Sequence, residues 1–225
     1  MPTPIEFKAP FCPDVFYHIV CKSIDGIVLF NEGKEYKIFR ERFGLFTSLC
    51  FEIWCYCMLP NHTHHIVRVK SKDIILKNIA LLPEKERTNS MNSLIKDTEN
   101  ELLFDTMIER QMNSFLVSYA NYCNNRRNRK GGIFQKPFRR IRINDDSHLQ
   151  QAVIYVHANA QKHKLIGDFK KYPFSSYCEI IIGDDQFVET RKTINFFGSK
   201  TEFIIKHKNQ VDYYYQNNWP SSKLE

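Results

Sequence analysis

The sequence of 225 residues contains no apolar run close to the roughly 18 residues that a membrane-spanning helix needs. It also lacks, near its start, the basic stretch followed by an apolar segment that is typical of a secretion signal. Its seven cysteines are odd in number, lie mostly in apolar segments and show no C-x-x-C spacing, which favours small buried side chains in a reducing compartment over disulfides. We therefore expect a cytoplasmic protein with no membrane partner.

Acidic residues are absent from one segment, Arg126 to Arg142. The whole chain has 32 Lys and Arg against 25 Asp and Glu, a net charge of +7 that only weakly favours an anionic partner. A charge run is usually a solvated face, but this one is interleaved with glycines and phenylalanines, as a surface that follows a phosphate backbone requires. The residues predicted to contact nucleic acid are Arg126, Arg127, Arg129, Lys130, Gln135, Lys136, Arg139, Arg140 and Arg142.

Strand and helix patterns alternate in the first third of the chain. Residues 15–22 are rich in β-branched and aromatic side chains and predict a strand. Aromatic residues spaced three and four apart predict a helix over 34–49. Residues 51–58 and 62–69 are strand-like and flank the turn residues Leu59-Pro60-Asn61, so that they predict a β-hairpin.

Two longer helices are predicted in the second half. Apolar residues recur at helical spacing over 105–123, and this apolar side is better explained as core than as a binding stripe. Residues 144–147 offer N-cap side chains for a helix that ends near Ala160.

The predicted domain covers residues 12–178. Within it, the polar segment 71–100 has a helical pattern only around 74–82, and we interpret it as an insertion or a mobile arm. Residues 179–225 are interpreted as a C-terminal extension in which 196–207 form a short helix.

Three histidines occur within four residues at the start of the second hairpin strand. Because side chains alternate in a strand, His62 and His64 share one face and His65 lies on the other. Two imidazoles on one face can hold a metal ion, although an H-x-H pattern also arises by chance. Cys55 and Cys57 share a face of the preceding strand as well, and core packing is the simpler explanation for them.

A partner for the histidines is predicted on the helix over 144–160. Tyr155 and Asn159 lie one turn apart there, at the flank of the apolar stripe, where a helix packed on a sheet can face a groove. Tyrosine supplies a nucleophilic oxygen and asparagine a neutral oxygen ligand. The simpler alternative is a boundary tyrosine with its hydroxyl in water. His157 lies on another face, and His148 could contact phosphate.

Three motifs occur in one order between residues 15 and 177: MLPNHTHHIV, then SYANYCNNRRNRKGGIFQKPFRR, then YVHANAQKH with YPFSSY. With them the chain resembles the single-tyrosine HUH transposases of the IS200-like superfamily, and among these the REP-associated tyrosine transposases. The resemblance implies an α+β, ferredoxin-like (RRM-like) fold, in which a central antiparallel sheet with helices on one face presents two histidines. It also implies that the helix after the last strand carries the nucleophile.

The resemblance further implies that His62, His64 and Asn159 bind a divalent metal and that Tyr155 is the nucleophile. Imidazoles alone would suit zinc, but amide and phosphate oxygens favour a harder ion, and Mg or Mn is the expectation. Attack on single-stranded or hairpin DNA would leave a 5′-phosphotyrosine and a free 3′-hydroxyl. The segment Arg126 to Arg142 would then lie against the DNA strand.

Two positions depart from the family pattern. Thr63 stands where a bulky apolar residue usually separates the histidines, and Ala160 stands where proline commonly follows the asparagine. The predicted function is a metal-dependent single-strand DNA endonuclease and strand transferase. Two alternatives remain open: a non-catalytic nucleic-acid-binding protein derived from such an enzyme, and a hydrolytic metallonuclease that uses water. The oligomeric state, monomer or homodimer, also remains open.

Overall fold

The computed structural model describes residues 7–184 and 186–217, and within them four strands form one antiparallel sheet in the order β2-β3-β1-β4. The strands are β1 (Phe16–Lys22), β2 (Phe51–Leu59), β3 (His62–Val69) and β4 (Arg139–Ile143). One helix joins β1 to β2 and a longer helix precedes β4, which is the ferredoxin-like connectivity. The prediction of an α+β fold with a central antiparallel sheet is confirmed.

Eight α-helices accompany the sheet in the described residues. They are α1 (Gly33–Thr47), α2 (Lys72–Leu81), α3 (Asn89–Lys96), α4 (Glu101–Arg126), α5 (Asp146–Lys162), α6 (Tyr177–Ile182), α7 (Thr190–Phe197) and α8 (Lys200–Asn217). Of these, no helix is long and apolar enough to span a membrane. The Asp145 side chain accepts a hydrogen bond from the His148 N–H at 2.8 Å, so that α5 begins at the predicted cap.

The two faces of the sheet are covered by different helices. On one face the His65 ring stacks on Phe43 of α1, with centroids 4.3 Å apart, and α1 packs in turn on α4. On the other face the His64 ring lies 6.0 Å from the ring of Tyr155 on α5. Helices α1 and α4 thus share one face, as in a ferredoxin-like core, and α5 adds a layer on the second face.

Residues 71–100 are packed on the core. Ile75 and Ile79 of α2 and Leu94 of α3 are fully buried, and α3 packs on α4. The sequence pattern predicted the first of these helices and missed α3, in which the apolar residues are fewer. The segment interpreted as an insertion or a mobile arm is therefore a pair of helices whose apolar side chains extend the core on the α4 side.

The described part of the C-terminal extension contains most of α6 and the whole of α7 and α8. The short helix predicted over 196–207 is wrong in its bounds, because the chain breaks between α7 and α8 at Gly198, whose φ of +97° is a conformation that favours glycine. Helix α8 packs on α5. The predicted extension also includes residues 218–225, which lie outside the described residues.

Candidate active site

The strand β3 brings His62 and His64 to the same face of the sheet, with ring centroids 5.0 Å apart. His64 is fully buried and His62 is 8% exposed, so the pair extends from the interior to the edge of the surface. His65 lies on the opposite face, as strand alternation predicts. Cys57 pairs with His64 across the hairpin. The strand β3 therefore supplies both histidines of the candidate site.

One side of helix α5 packs on these two imidazoles. The Tyr155 ring is 6.0 Å from the His64 ring, and the His163 ring, at the end of the helix, is 5.1 Å from the His62 ring. Asn159 lies midway between Tyr155 and His163 along the helix, one turn from each. Helical spacing therefore places Asn159 on the side of α5 that carries the two rings in contact with the strand histidines. The tertiary structure brings Tyr155, His62 and His64 together, with Asn159 buried on the same side of the helix.

Among the described residues, three buried polar atoms at this site have no hydrogen-bond partner: Nδ1 of His18, Nε2 of His64 and Oδ1 of Asn159. The last two belong to predicted metal ligands. The Asn159 amide nitrogen donates to the backbone carbonyl of Tyr155 at 3.2 Å, whereas its oxygen accepts no hydrogen bond from the described residues. An unpartnered buried polar group costs about 1–3 kcal/mol. An imidazole nitrogen and an amide oxygen both carry lone pairs, so these residues fit a divalent cation.

Each strand histidine has a neighbour that contacts its Nδ1. His62 Nδ1 lies 2.7 Å from Asn61 Oδ1, which can only accept, so this contact fits the tautomer with its proton on Nδ1. His64 Nδ1 lies 2.9 Å from His18 Nε2 of β1. Burial lowers the pKa of His18 to about 3 and holds the pKa of His64 well below its usual value, so both rings are neutral. Such partners orient metal-binding imidazoles.

The side chains near His62 and His64 limit which donors a metal site here could have. The described part of the chain contains no group of three His, Cys, Asp or Glu side chains that could hold a metal ion. Cys55 and Cys57 are fully buried in the core, and burial raises the pKa of the Cys57 thiol to about 12. A protonated thiol is not a metal ligand. The donors that remain for the predicted site are the imidazole nitrogens of His62 and His64 and the amide oxygen of Asn159, and this donor set stays a prediction.

Tyr155 is fully buried, so the alternative of a boundary tyrosine with its hydroxyl in water does not hold. The Lys162 ammonium, at the end of the same helix, donates to its phenolic oxygen at 3.1 Å and lies 4.9 Å from the ring centroid. The sequence patterns identified neither Lys162 nor the two further histidines of the site. The position of His163, four residues after Asn159, indicated that it lies on the same side of the helix. The position of His18 beside His64 follows only from the pairing of β1 with β3, which no local pattern indicates.

Two of the nine predicted DNA-binding residues are at least partly buried and paired with carboxylates elsewhere in the fold. Arg140 of β4 is buried and makes two bonds to Asp105, at 2.9 and 3.3 Å, and one to Glu109 at 3.1 Å. Arg127 donates to the buried carboxylate of Glu35 at 3.0 Å. These guanidinium groups stabilise the packing of β4 and of the end of α4, because a buried charge requires such a partner.

The other seven differ in exposure. Arg126 is exposed and pairs with Glu32, and Gln135 donates to the Ser23 carbonyl at 3.0 Å. The remaining five are Arg129 and Arg139, which are partly buried, and Lys130, Lys136 and Arg142, which are exposed. The Gln135 N–H also bonds the Lys22 carbonyl at 2.8 Å, and Lys22 pairs with His62 across the sheet. The loop that carries Lys136 therefore lies at the sheet end where His62 is found.

Comparisons with known proteins find similarity to the same family that the motifs resemble. No family model matches the chain. A protein of Haemophilus influenzae described as a REP-associated tyrosine transposase is 27% identical over 127 residues, 56% of this chain, and the chain spans about 59% of that relative's length. A solved structure described as a REP-associated tyrosine transposase bound to a REP hairpin has 15% identity, a TM-score of 0.51 and coverage of 77% of this chain and 83% of that one, which shows a shared fold. The resemblance predicted from the motifs is confirmed.

Proposed function

We propose that this protein is a metal-dependent single-strand DNA endonuclease and strand transferase of the tyrosine transposase type. Tyr155 is the nucleophile, and His62, His64 and Asn159 bind Mg or Mn. The observation that carries the proposal is the pair of buried, unpartnered lone-pair atoms, His64 Nε2 and Asn159 Oδ1, on elements that also bring Tyr155 to the site. The H. influenzae relative and the solved structure, both described as REP-associated tyrosine transposases, support it.

The proposed reaction exchanges one phosphodiester for another. The Tyr155 oxygen attacks phosphorus and its proton passes to water. The bond from phosphorus to the 3′-oxygen breaks, and this oxygen takes a proton from water, which leaves a 5′-phosphotyrosine and a 3′-hydroxyl. A divalent ion, when bound, would polarise the scissile phosphate as a Lewis acid. The reverse attack by a 3′-hydroxyl rejoins DNA without ATP, because no phosphodiester bond is lost in the exchange.

The proposed partner is single-stranded or hairpin DNA. Lys130 and Lys136 are exposed on the loop that is bonded to Lys22, beside the strand end of His62. Positive side chains at this position suit a phosphate backbone that enters the site. In this proposal Arg127 and Arg140 act on the fold and not on DNA, because their guanidinium groups are committed to carboxylates.

A second candidate is a non-catalytic nucleic-acid-binding protein derived from such an enzyme. One observation favours it: Tyr155 is fully buried, whereas a nucleophile must reach its substrate. Both candidates bind DNA through the same exposed cations, so that binding alone does not separate them.

The test is a covalent adduct. Hairpin DNA with a single-stranded flank, labelled at its 3′ end, is incubated with Mn, and label that stays with the denatured protein is measured. We expect an adduct that Tyr155→Phe abolishes. Tyr122→Phe is the matched control, because the Tyr122 hydroxyl has no hydrogen-bond partner in the described part of the chain.

Each other outcome selects a different function. An adduct in Tyr155→Phe would show that another residue is the nucleophile. DNA cleavage without any adduct would favour the hydrolytic metallonuclease. Tight DNA binding with neither cleavage nor adduct, in Mg and in Mn, would favour the non-catalytic candidate.

A further inference from the structure

We infer that Lys162 is a further catalytic residue, whose ammonium stabilises negative charge on the Tyr155 oxygen when this oxygen attacks phosphorus and when it leaves. The inference rests on the proposed function above, because it needs Tyr155 as the nucleophile.

The contact between the two side chains follows from their spacing on α5. Lys162 is the last residue of the helix and lies seven residues, or about two turns, after Tyr155, so both are on one side of it. Its Nζ donates to the phenolic oxygen at 3.1 Å and lies 4.9 Å from the ring centroid. The ammonium therefore touches the reacting oxygen and at the same time lies against the aromatic ring.

Burial makes this contact strong. Tyr155 is fully buried and Lys162 is partly buried, so water screens their interaction less than it would on an open surface. A positioned donor that is already in place needs no reorganisation when charge develops on its acceptor. The phenolic oxygen has such a donor before any substrate binds.

The chemistry needs charge stabilisation in both directions. In cleavage the bond from the tyrosine oxygen to phosphorus forms, the phenolic proton passes to water, and the 3′-oxygen departs and takes a proton from water. In joining, a DNA 3′-hydroxyl attacks phosphorus and loses its proton to water, and the tyrosinate leaves with the electron pair of the broken bond. Negative charge lies partly on the Tyr155 oxygen in both transition states, 3.1 Å from the Lys162 nitrogen.

A structural role for Lys162 is the competing explanation, since a lysine in the last turn of a helix also interacts with the free carbonyl groups there. Stability and catalysis must therefore be measured on the same variants. Lys162→Met removes the charge and keeps an unbranched side chain, and Lys162→Arg keeps a charged donor. Lys164→Met removes a neighbouring exposed lysine and is the matched control for net charge.

The experiment measures single-turnover adduct formation on labelled hairpin DNA with Mn, together with DNA affinity, Mn affinity and thermal unfolding. For Lys162→Met we expect the rate at saturating DNA to fall about tenfold to a hundredfold, with both affinities nearly unchanged. Lys162→Arg should recover part of the rate, and Lys164→Met should match the parent. With 3,5-difluorotyrosine at position 155, whose oxygen is less basic, the loss caused by Lys162→Met should shrink.

Several outcomes would overturn the inference. An unchanged rate in Lys162→Met, or a loss that appears only in DNA affinity, would show that Lys162 does not act on the reacting oxygen. A rate loss that the fluorinated tyrosine leaves unchanged would assign Lys162 to the structure of α5. No adduct in the parent protein would overturn the proposed function and this inference together, whereas a parent adduct with an unaffected Lys162→Met variant would overturn the inference alone.

Discussion

Two clusters of buried polar side chains include residues of helix α5, and each contains histidines. They differ in whether their nitrogen and oxygen atoms have hydrogen-bond partners. At the candidate site, His64 Nε2 and Asn159 Oδ1 have no partner among the described residues. In the second cluster, His157 Nδ1 lies 2.8 Å from His207 Nε2 of α8, and His157 Nε2 lies 2.9 Å from the hydroxyl of Ser176. All three residues of the second cluster are fully buried.

Under the proposed function, the difference separates side chains that bind a metal from side chains that hold the fold together. His207 Nδ1 bonds the carbonyl of Phe203 at 2.7 Å, so both nitrogens of each imidazole in the second cluster are used. That cluster links α8 and the start of α6 to α5. Because unpartnered buried atoms cost free energy, we expect changes at the candidate site to abolish activity with little loss of stability, and the reverse in the second cluster.

The largest expected effect is on activity, with Asn159→Leu. Leucine has a similar volume and removes the unpartnered Oδ1, so adduct formation should fall at least about a hundredfold because the third metal ligand is lost. In EDTA the free energy of unfolding should fall by no more than about 1–1.5 kcal/mol, since Oδ1 makes no bond and the substitution loses a single hydrogen bond, from the amide nitrogen to the Tyr155 carbonyl. Adduct assays measure the activity and urea unfolding measures the stability. A large loss of stability would contradict the expected difference between the two clusters.

In the second cluster the expected effect is on stability, with His207→Leu. The change removes the partner of His157 and leaves a buried nitrogen without a hydrogen bond, so the free energy of unfolding should fall by about 1–3 kcal/mol. Urea unfolding at pH 7.5 measures it. Adduct formation at low temperature should remain within a few-fold of the parent, and Lys208→Leu, at the next and exposed position of α8, is the control.

A smaller effect is expected in the pH dependence of stability. Burial lowers the pKa of His207 to about 3, whereas an unfolded histidine titrates near 6.5. Above about pH 6.5 the His207 ring is neutral in both the folded and the unfolded protein. Below that pH only the unfolded protein binds a proton at this ring, so the free energy of unfolding falls as pH decreases. At pH 5 this histidine should account for about 2 kcal/mol of lost stability. The slope between pH 7 and 5 should therefore be shallower in His207→Leu, and equal slopes would contradict the assignment.

Local periodicity was enough to predict the parts of the site that lie on one element. His62 and His64 share a face because a strand repeats every two residues, and Tyr155 and Asn159 share a face because a helix repeats every 3.6. The ferredoxin-like sheet was implied by the family resemblance of the motifs, and the predicted order of strands and helices agreed with it. His163 is one further i+4 step along α5 and was predictable by the same rule.

The basic segment shows where reasoning along the sequence fails. Residues 139–143 form the strand β4, whereas the sequence was interpreted only as a charge run. No acidic residue occurs between positions 126 and 142, but Asp105 and Glu109 of α4 reach Arg140 through space. Whether a cation is free for DNA depends on distance in the fold and not on distance along the chain.

The sequence by itself determined which side chains share a face, because that property depends on the repeat of a single strand or helix. Only the tertiary structure decided which lone pairs are satisfied. Pairing of β1 with β3 brings His18 to His64, and packing of α8 on α5 brings His207 to His157. Hydrogen bonds act over about 3 Å between residues that are 46 and 50 positions apart, and no local pattern encodes such a meeting.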